Sequence, residues 1–77
     1  MYDLSIYGET LKTIRTKKGI SQQELAFMTD LDRTYISMLE RNLRQPGLET
    51  VIRIANALGY KASEFIKLIE TSVVKKS

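Results

Sequence analysis

Apolar residues recur along the chain at spacings of three and four, as in helices that turn one face toward a core. Tyr7, Leu11 and Ile14 define a first helix over about 5–18. Lys17 and Lys18 suit the negative end of its dipole, and Gly19 supplies the stop. A second helix opens at Ser21, where Ser21 and Glu24 fit a capping box and Ile20 and Leu25 stand as a hydrophobic staple. It ends near Thr29. Asp32 caps a third helix that runs through Ile36, Leu39 and Glu40 to about Arg41, with Leu31 and Ile36 as its staple. Pro46 blocks continuation across the loop 42–47. A fourth helix, from Leu48 to Leu58, carries Leu48, Val51, Ile52, Ala55 and Leu58 on one face, and Gly59 ends it. A fifth spans about 62–72, with Phe65, Ile66 and Ile69 apolar. No segment reads as a strand, so the expected class is all-α: five helices in one compact domain over residues 1–77.

Only about three residues separate the second and third helices, which forces a tight corner over about 21–41. Such a crossing needs a small residue where the helices meet, and Ala26 stands there. The turn often needs a positive φ, which Asp tolerates, and Asp30 occupies that place. If Ile36 and Leu39 anchor the third helix inside, its outer face carries Arg33, Thr34 and Ser37, with Met38 on the flank. A guanidinium can bind guanine O6 and N7 together, so Arg33 is the leading candidate for reading a base in a major groove. Thr34 and Ser37 are short enough to meet a phosphate or a base. Gln22 opens the second helix, whose free amides suit a phosphate. Gln23, Tyr35, Asn42 and Arg44 are candidates for contacts to the DNA backbone, which position a protein without specifying sequence. Gln23 and Asn42 can equally be ordinary exposed polar residues, and Tyr35 can equally pack against the second helix or the loop.

Charge adds a little. Lys and Arg number 12 against 9 acids, a net +3, a weak lean toward a polyanion. There is no cysteine and no histidine, which removes disulfides, Cys/His zinc sites and the commonest general base. The absent cysteines fit a cytoplasmic protein. No apolar run reaches the ~20 residues of a membrane span, and Met1 to Tyr7, with Asp3 and no basic cluster, does not read as a signal peptide. No glycine-rich phosphate loop or carboxylate cluster points to an enzyme, a metal or a cofactor.

The run Gly19-Ile20-Ser21-Gln22-Gln23-Glu24-Leu25-Ala26, followed by Leu31-Asp32-Arg33-Thr34-Tyr35-Ile36-Ser37 and Leu39-Glu40-Arg41, resembles the helix-turn-helix family of phage repressors and their bacterial relatives. Pro46-Gly47-Leu48-Glu49-Thr50 and Ile54-Ala55-Asn56-Ala57-Leu58-Gly59 look like that family's fourth helix. Within the family, Asp32 to Ser37 with Glu40-Arg41-Asn42 is similar to the controller proteins of restriction–modification systems. The resemblance implies a lambda-repressor-like fold and a sequence-specific transcription regulator that acts on its own operon. It implies base reading by Arg33, DNA contacts by Thr34, Tyr35, Ser37 and Arg44, and a structural ion pair between Arg15 and Glu40. Asp30 in place of the commoner turn glycine, and Gly47 in place of a serine cap, depart from the pattern.

The expected partners are double-stranded DNA, a second copy of the chain and, where regulation includes activation, RNA polymerase. On the fifth helix Phe65 and Leu68 are expected to complete the core, leaving Ile66, Ile69 and Val73 as a stripe for a two-fold interface within about 62–77. A dimer of this kind binds palindromic half-sites about one helical turn apart. The competing reading is a helix-turn-helix module for protein contacts, such as an antitoxin or anti-repressor.

Overall fold

The computed structural model describes the backbone of residues 5–76 and the side chains of residues 7–71. Five helices follow in order: α1 (Ser5–Lys17), α2 (Gln22–Thr29), α3 (Arg33–Glu40), α4 (Leu48–Ala57) and α5 (Ala62–Lys76), with no strand among the described residues. The class is all-α, as expected from the spacing of apolar positions.

The first four helices end by one device. A residue with positive φ follows each: Gly19 at 70°, Asp30 at 58°, Asn42 at 61° and Gly59 at 87°. The next residue then donates its N–H to a carbonyl five positions back. These bonds run from Ile20 to Arg15 (3.1 Å), Leu31 to Ala26 (3.0 Å), Leu43 to Met38 (2.8 Å) and Tyr60 to Ala55 (2.9 Å). This closure satisfies carbonyls that the helix end would leave free. Ile20, Leu31 and Tyr60 also pack against the core, so three of the four corners are held by burial as well.

Helix starts are equally local. Ser21 Oγ accepts from the Glu24 N–H and Glu24 Oε1 accepts from the Ser21 N–H, both at 3.0 Å, which completes the expected capping box. Asp32 Oδ2 accepts from the Thr34 N–H at 3.1 Å. Gly47 precedes α4 without a side-chain cap.

One core joins the helices. Leu11 and Ile14 of α1, Leu25 and Ala26 of α2, Ile36 and Leu39 of α3, Ile54 and Ala55 of α4, Leu58 just after it, and Phe65 of α5 are buried. Tyr7 stands edge-on to Phe65, ring centroids 6.2 Å apart. Two expected faces are rotated. On α4, Leu48 is 70% exposed and Ile52 39%, while Ile54, absent from the expected face, is fully buried. Six apolar residues cover more than half the circumference of this helix, so spacing alone leaves open which arc turns inward. On α5, Leu68 is exposed and Ile69 packs on the core, the reverse of the expected assignment. Ile69 lies four residues from Phe65 and so shares its face.

Gly8 marks a close helix approach. A Cβ there would lie 2.5 Å from Glu40 O and 2.7 Å from Leu39 O, so α1 passes directly against the end of α3.

Candidate nucleic-acid interface

α3 is divided along its length. Ile36 and Leu39 are fully buried, and they fix the helix so that Arg33 and Thr34 face solvent and Ser37 is half-exposed. Gln22, at the start of α2, joins these three around one open depression. Arg33 also borders a second depression, lined among others by Gln23, Phe27 and Asp30. No other described segment covers the outward face of α3. The surface therefore offers a guanidinium and two hydroxyls from α3 and a carboxamide from the start of α2, the chemistry that reads base edges and phosphates.

The remaining candidates divide. Gln23 is exposed. Tyr35 is half-buried against the core, and the Arg44 guanidinium stands over its ring at 5.9 Å from the centroid. Arg44 is exposed in the loop that follows α3. Asn42 is exposed, yet its Oδ1 accepts the Gly8 N–H at 3.0 Å and its backbone turns the corner after α3. Asn42 thus has a structural task that the sequence signalled only through its tolerance of positive φ.

Arg15 and Glu40 meet across α1 and α3. Arg15 Nε donates to Glu40 Oε2 at 2.6 Å and Nη2 donates to Oε1 at 3.1 Å. Arg15 Nη1 donates to the Ile20 carbonyl at 2.7 Å. The pair is buried, with side chains 9% and 3% exposed. Glu40 Oε1 also accepts Gln22 Nε2 at 3.0 Å, a bond no sequence pattern announced.

Among the described residues, two groups have displaced acidities. The backbone and then the hydroxyl of Ser21 hold the Glu24 carboxyl below its ordinary value. Burial, and secondarily Tyr35, push the Tyr7 hydroxyl well above its ordinary range. The Tyr7 hydroxyl is buried and has no hydrogen-bond partner.

Of the expected dimer stripe, Ile66 is exposed and Ile69 packs on the core; the side chain of Val73 lies outside the described residues. Phe27, which sequence reasoning passed over, is 89% exposed on α2. Among the described residues no cluster of acids suits a metal ion, and no helix is long and apolar enough to cross a membrane.

The helix-turn-helix family profile matches residues 11–65. The control protein C.BamHI of Bacillus amyloliquefaciens is 39% identical over 62 residues, covering 79% of this chain and 76% of that protein. The control protein C.MunI of Mycoplasma sp is 39% identical over 72 residues, covering 91% and 97%. Among solved structures, the tetramer of the restriction–modification controller protein C.Esp1396I in complex with its natural 35-base-pair operator superposes with a TM-score of 0.84 at 34% identity. That match covers 92% of this chain and 93% of the other. The chain belongs to the helix-turn-helix family, within the group of small control proteins that these relatives represent.

Proposed function

We propose that this chain is a sequence-specific DNA-binding regulator, not an enzyme, that controls the operon of a restriction–modification system. The observation that carries the reading is the division of α3, with Ile36 and Leu39 sealed inside and Arg33, Thr34 and Ser37 left outward. Arg33 reads a base, Thr34 and Ser37 meet base or phosphate, and Gln23, Tyr35 and Arg44 position the helix on the backbone. Arg44 lies over the Tyr35 ring, so the two stand at one place on the surface. Asn42 serves the interface by holding the corner after α3.

The working unit is a homodimer on a palindromic operator. The relative solved with its operator is a tetramer, which supports assembly. Ile66, with the exposed Leu48 and Ile52 of the neighbouring α4, supplies apolar surface for a second copy. Regulation acts in the cytoplasm on transcription, by blocking RNA polymerase or by assisting it.

Selection of bound duplexes from random DNA tests the reading. The expected product is an approximate palindrome with half-site centres about 10–10.5 base pairs apart, or a multiple of that. Arg33→Ala relaxes preference at one position by roughly 1–3 kcal/mol. Equal binding to enriched and scrambled duplexes at moderate salt overturns it.

A further inference from the structure

The regulator reading treats Arg15 and Glu40 as scaffolding, but a third side chain completes their network. Glu40 takes two hydrogen bonds from Arg15 and one from Gln22 Nε2. A carboxylate only accepts hydrogen bonds. Gln22 must therefore turn its NH2 group, and not its carbonyl, toward Glu40. The reversed amide would set oxygen against oxygen beside a buried charge. Neither partner can drift to relieve this, since Arg15 is itself held by the Ile20 carbonyl.

The constraint decides what Gln22 can offer a ligand. One N–H is committed to Glu40, which leaves the Oε1 acceptor and the second N–H. A phosphate oxygen presents acceptors alone and satisfies only half of that pair. The major-groove edge of adenine, with its N6 donor beside its N7 acceptor, matches both. Gln22 shares its depression with Arg33, Thr34 and Ser37, so it stands among the groups that would enter the groove. We propose that Gln22 reads an A·T pair and that Glu40, backed by Arg15, is the positioning residue that fixes its carboxamide for the task. This rests on the regulator reading and adds a specificity residue from α2.

The test uses the duplex recovered by selection, with each base pair of one half-site replaced in turn. The unaltered protein is expected to lose roughly tenfold in affinity or more when one particular A·T pair is replaced. Gln22→Met keeps length and removes both polar groups, so discrimination at that pair disappears while the other positions keep theirs. Glu40→Gln, checked for folding by thermal melting, weakens discrimination at the same pair in the Gln22 background and changes nothing there once Gln22→Met is present. A purely structural role would depress binding across the whole panel instead. Gln22→Met decides the matter even where Glu40→Gln unfolds. Uniform loss over all sites, with the salt dependence unchanged because a carboxamide neutralises no charge, would mark a phosphate contact and overturn the inference. Failure of the unaltered protein to enrich any duplex would bring down the regulator reading, and this one with it.

Discussion

The Gly8 N–H donates to Asn42 Oδ1 at 3.0 Å, fastening α1 to the residue that turns the chain after α3. The contact exists because Gly8 has no side chain, since a Cβ would fall 2.5 Å from Glu40 O and 2.6 Å from Asn42 Oδ1. Backbone on the far side cannot step aside as a flexible side chain could. Gly8→Ala is expected to cost about 1–3 kcal/mol, the usual range for overpacking. Asn42→Ala loses the bond and strains a left-handed backbone, for about 1–2 kcal/mol. Urea unfolding checks both, and an unchanged midpoint for Gly8→Ala would refute the close approach.

The buried ion pair gives a sharper contrast. Glu40→Ala leaves the Arg15 guanidinium buried and unpaired, which costs about 3–5 kcal/mol. Replacing both partners, as Arg15→Met with Glu40→Met, removes both charges and should regain most of that loss. Chemical denaturation of the single and double variants supplies the comparison. A double variant no more stable than Glu40→Ala alone contradicts the account.

Tyr7 carries the opposite expectation. Its hydroxyl is buried without a partner, so Tyr7→Phe removes an unmet polar group and keeps the ring against Phe65. The melting temperature should stay level or rise. The hydroxyl's folded pKa lies above its ordinary 10.0. The part of stability linked to Tyr7 is therefore full below about pH 10 and falls as pH climbs beyond it, because the unfolded chain ionises first. Tyr7→Phe should lose this part of the alkaline decline, which melting curves across that window will reveal.

The capping box titrates at the acid end. Ser21 holds the Glu24 carboxyl below its ordinary 4.5. The bond's contribution is full above that value and fades as pH falls through the lower folded pKa. Ser21→Ala removes the hydroxyl but keeps the N–H that contributes most, so Glu24 should move only part of the way back toward 4.5, as followed by its side-chain NMR shift, and the lost cap costs about 1 kcal/mol. A Glu24 titration unmoved by Ser21→Ala would contradict the assignment.

Self-association has its own variants. Leu48→Glu and Ile66→Glu place charge on surface that the dimer reading covers, at positions already exposed in a single copy. Sedimentation should show a shift toward monomer with the helical circular dichroism retained. Unchanged sedimentation in both variants places the contact elsewhere.

Residues near one another in sequence were the legible ones. The capping box at Ser21, the cap at Asp32 and the positive φ at Asp30 each depend on a few neighbours, and each stands where the residues implied. The outward face of α3 was legible too, because Ile36 and Leu39 leave only one way to bury it. What stayed hidden depended on distant packing. The apolar positions of α4 and α5 wrap too far round each helix to name a single inner arc, so Leu48, Ile52, Leu68 and Ile69 were misassigned. The Gly8–Asn42 and Gln22–Glu40 bonds join residues 34 and 18 positions apart, and no local pattern encodes them.

The shared closure of the first four helices has a kinetic consequence. Each corner can assemble from a handful of adjacent residues before any remote partner arrives, so little entropy is lost in finding the topology. Refolding should accordingly fall in the rapid class of helical domains, about microseconds to milliseconds. Under the proposed dimer, the delay between synthesis and action is then governed by the encounter of two finished copies, and so by how much protein the cell has made.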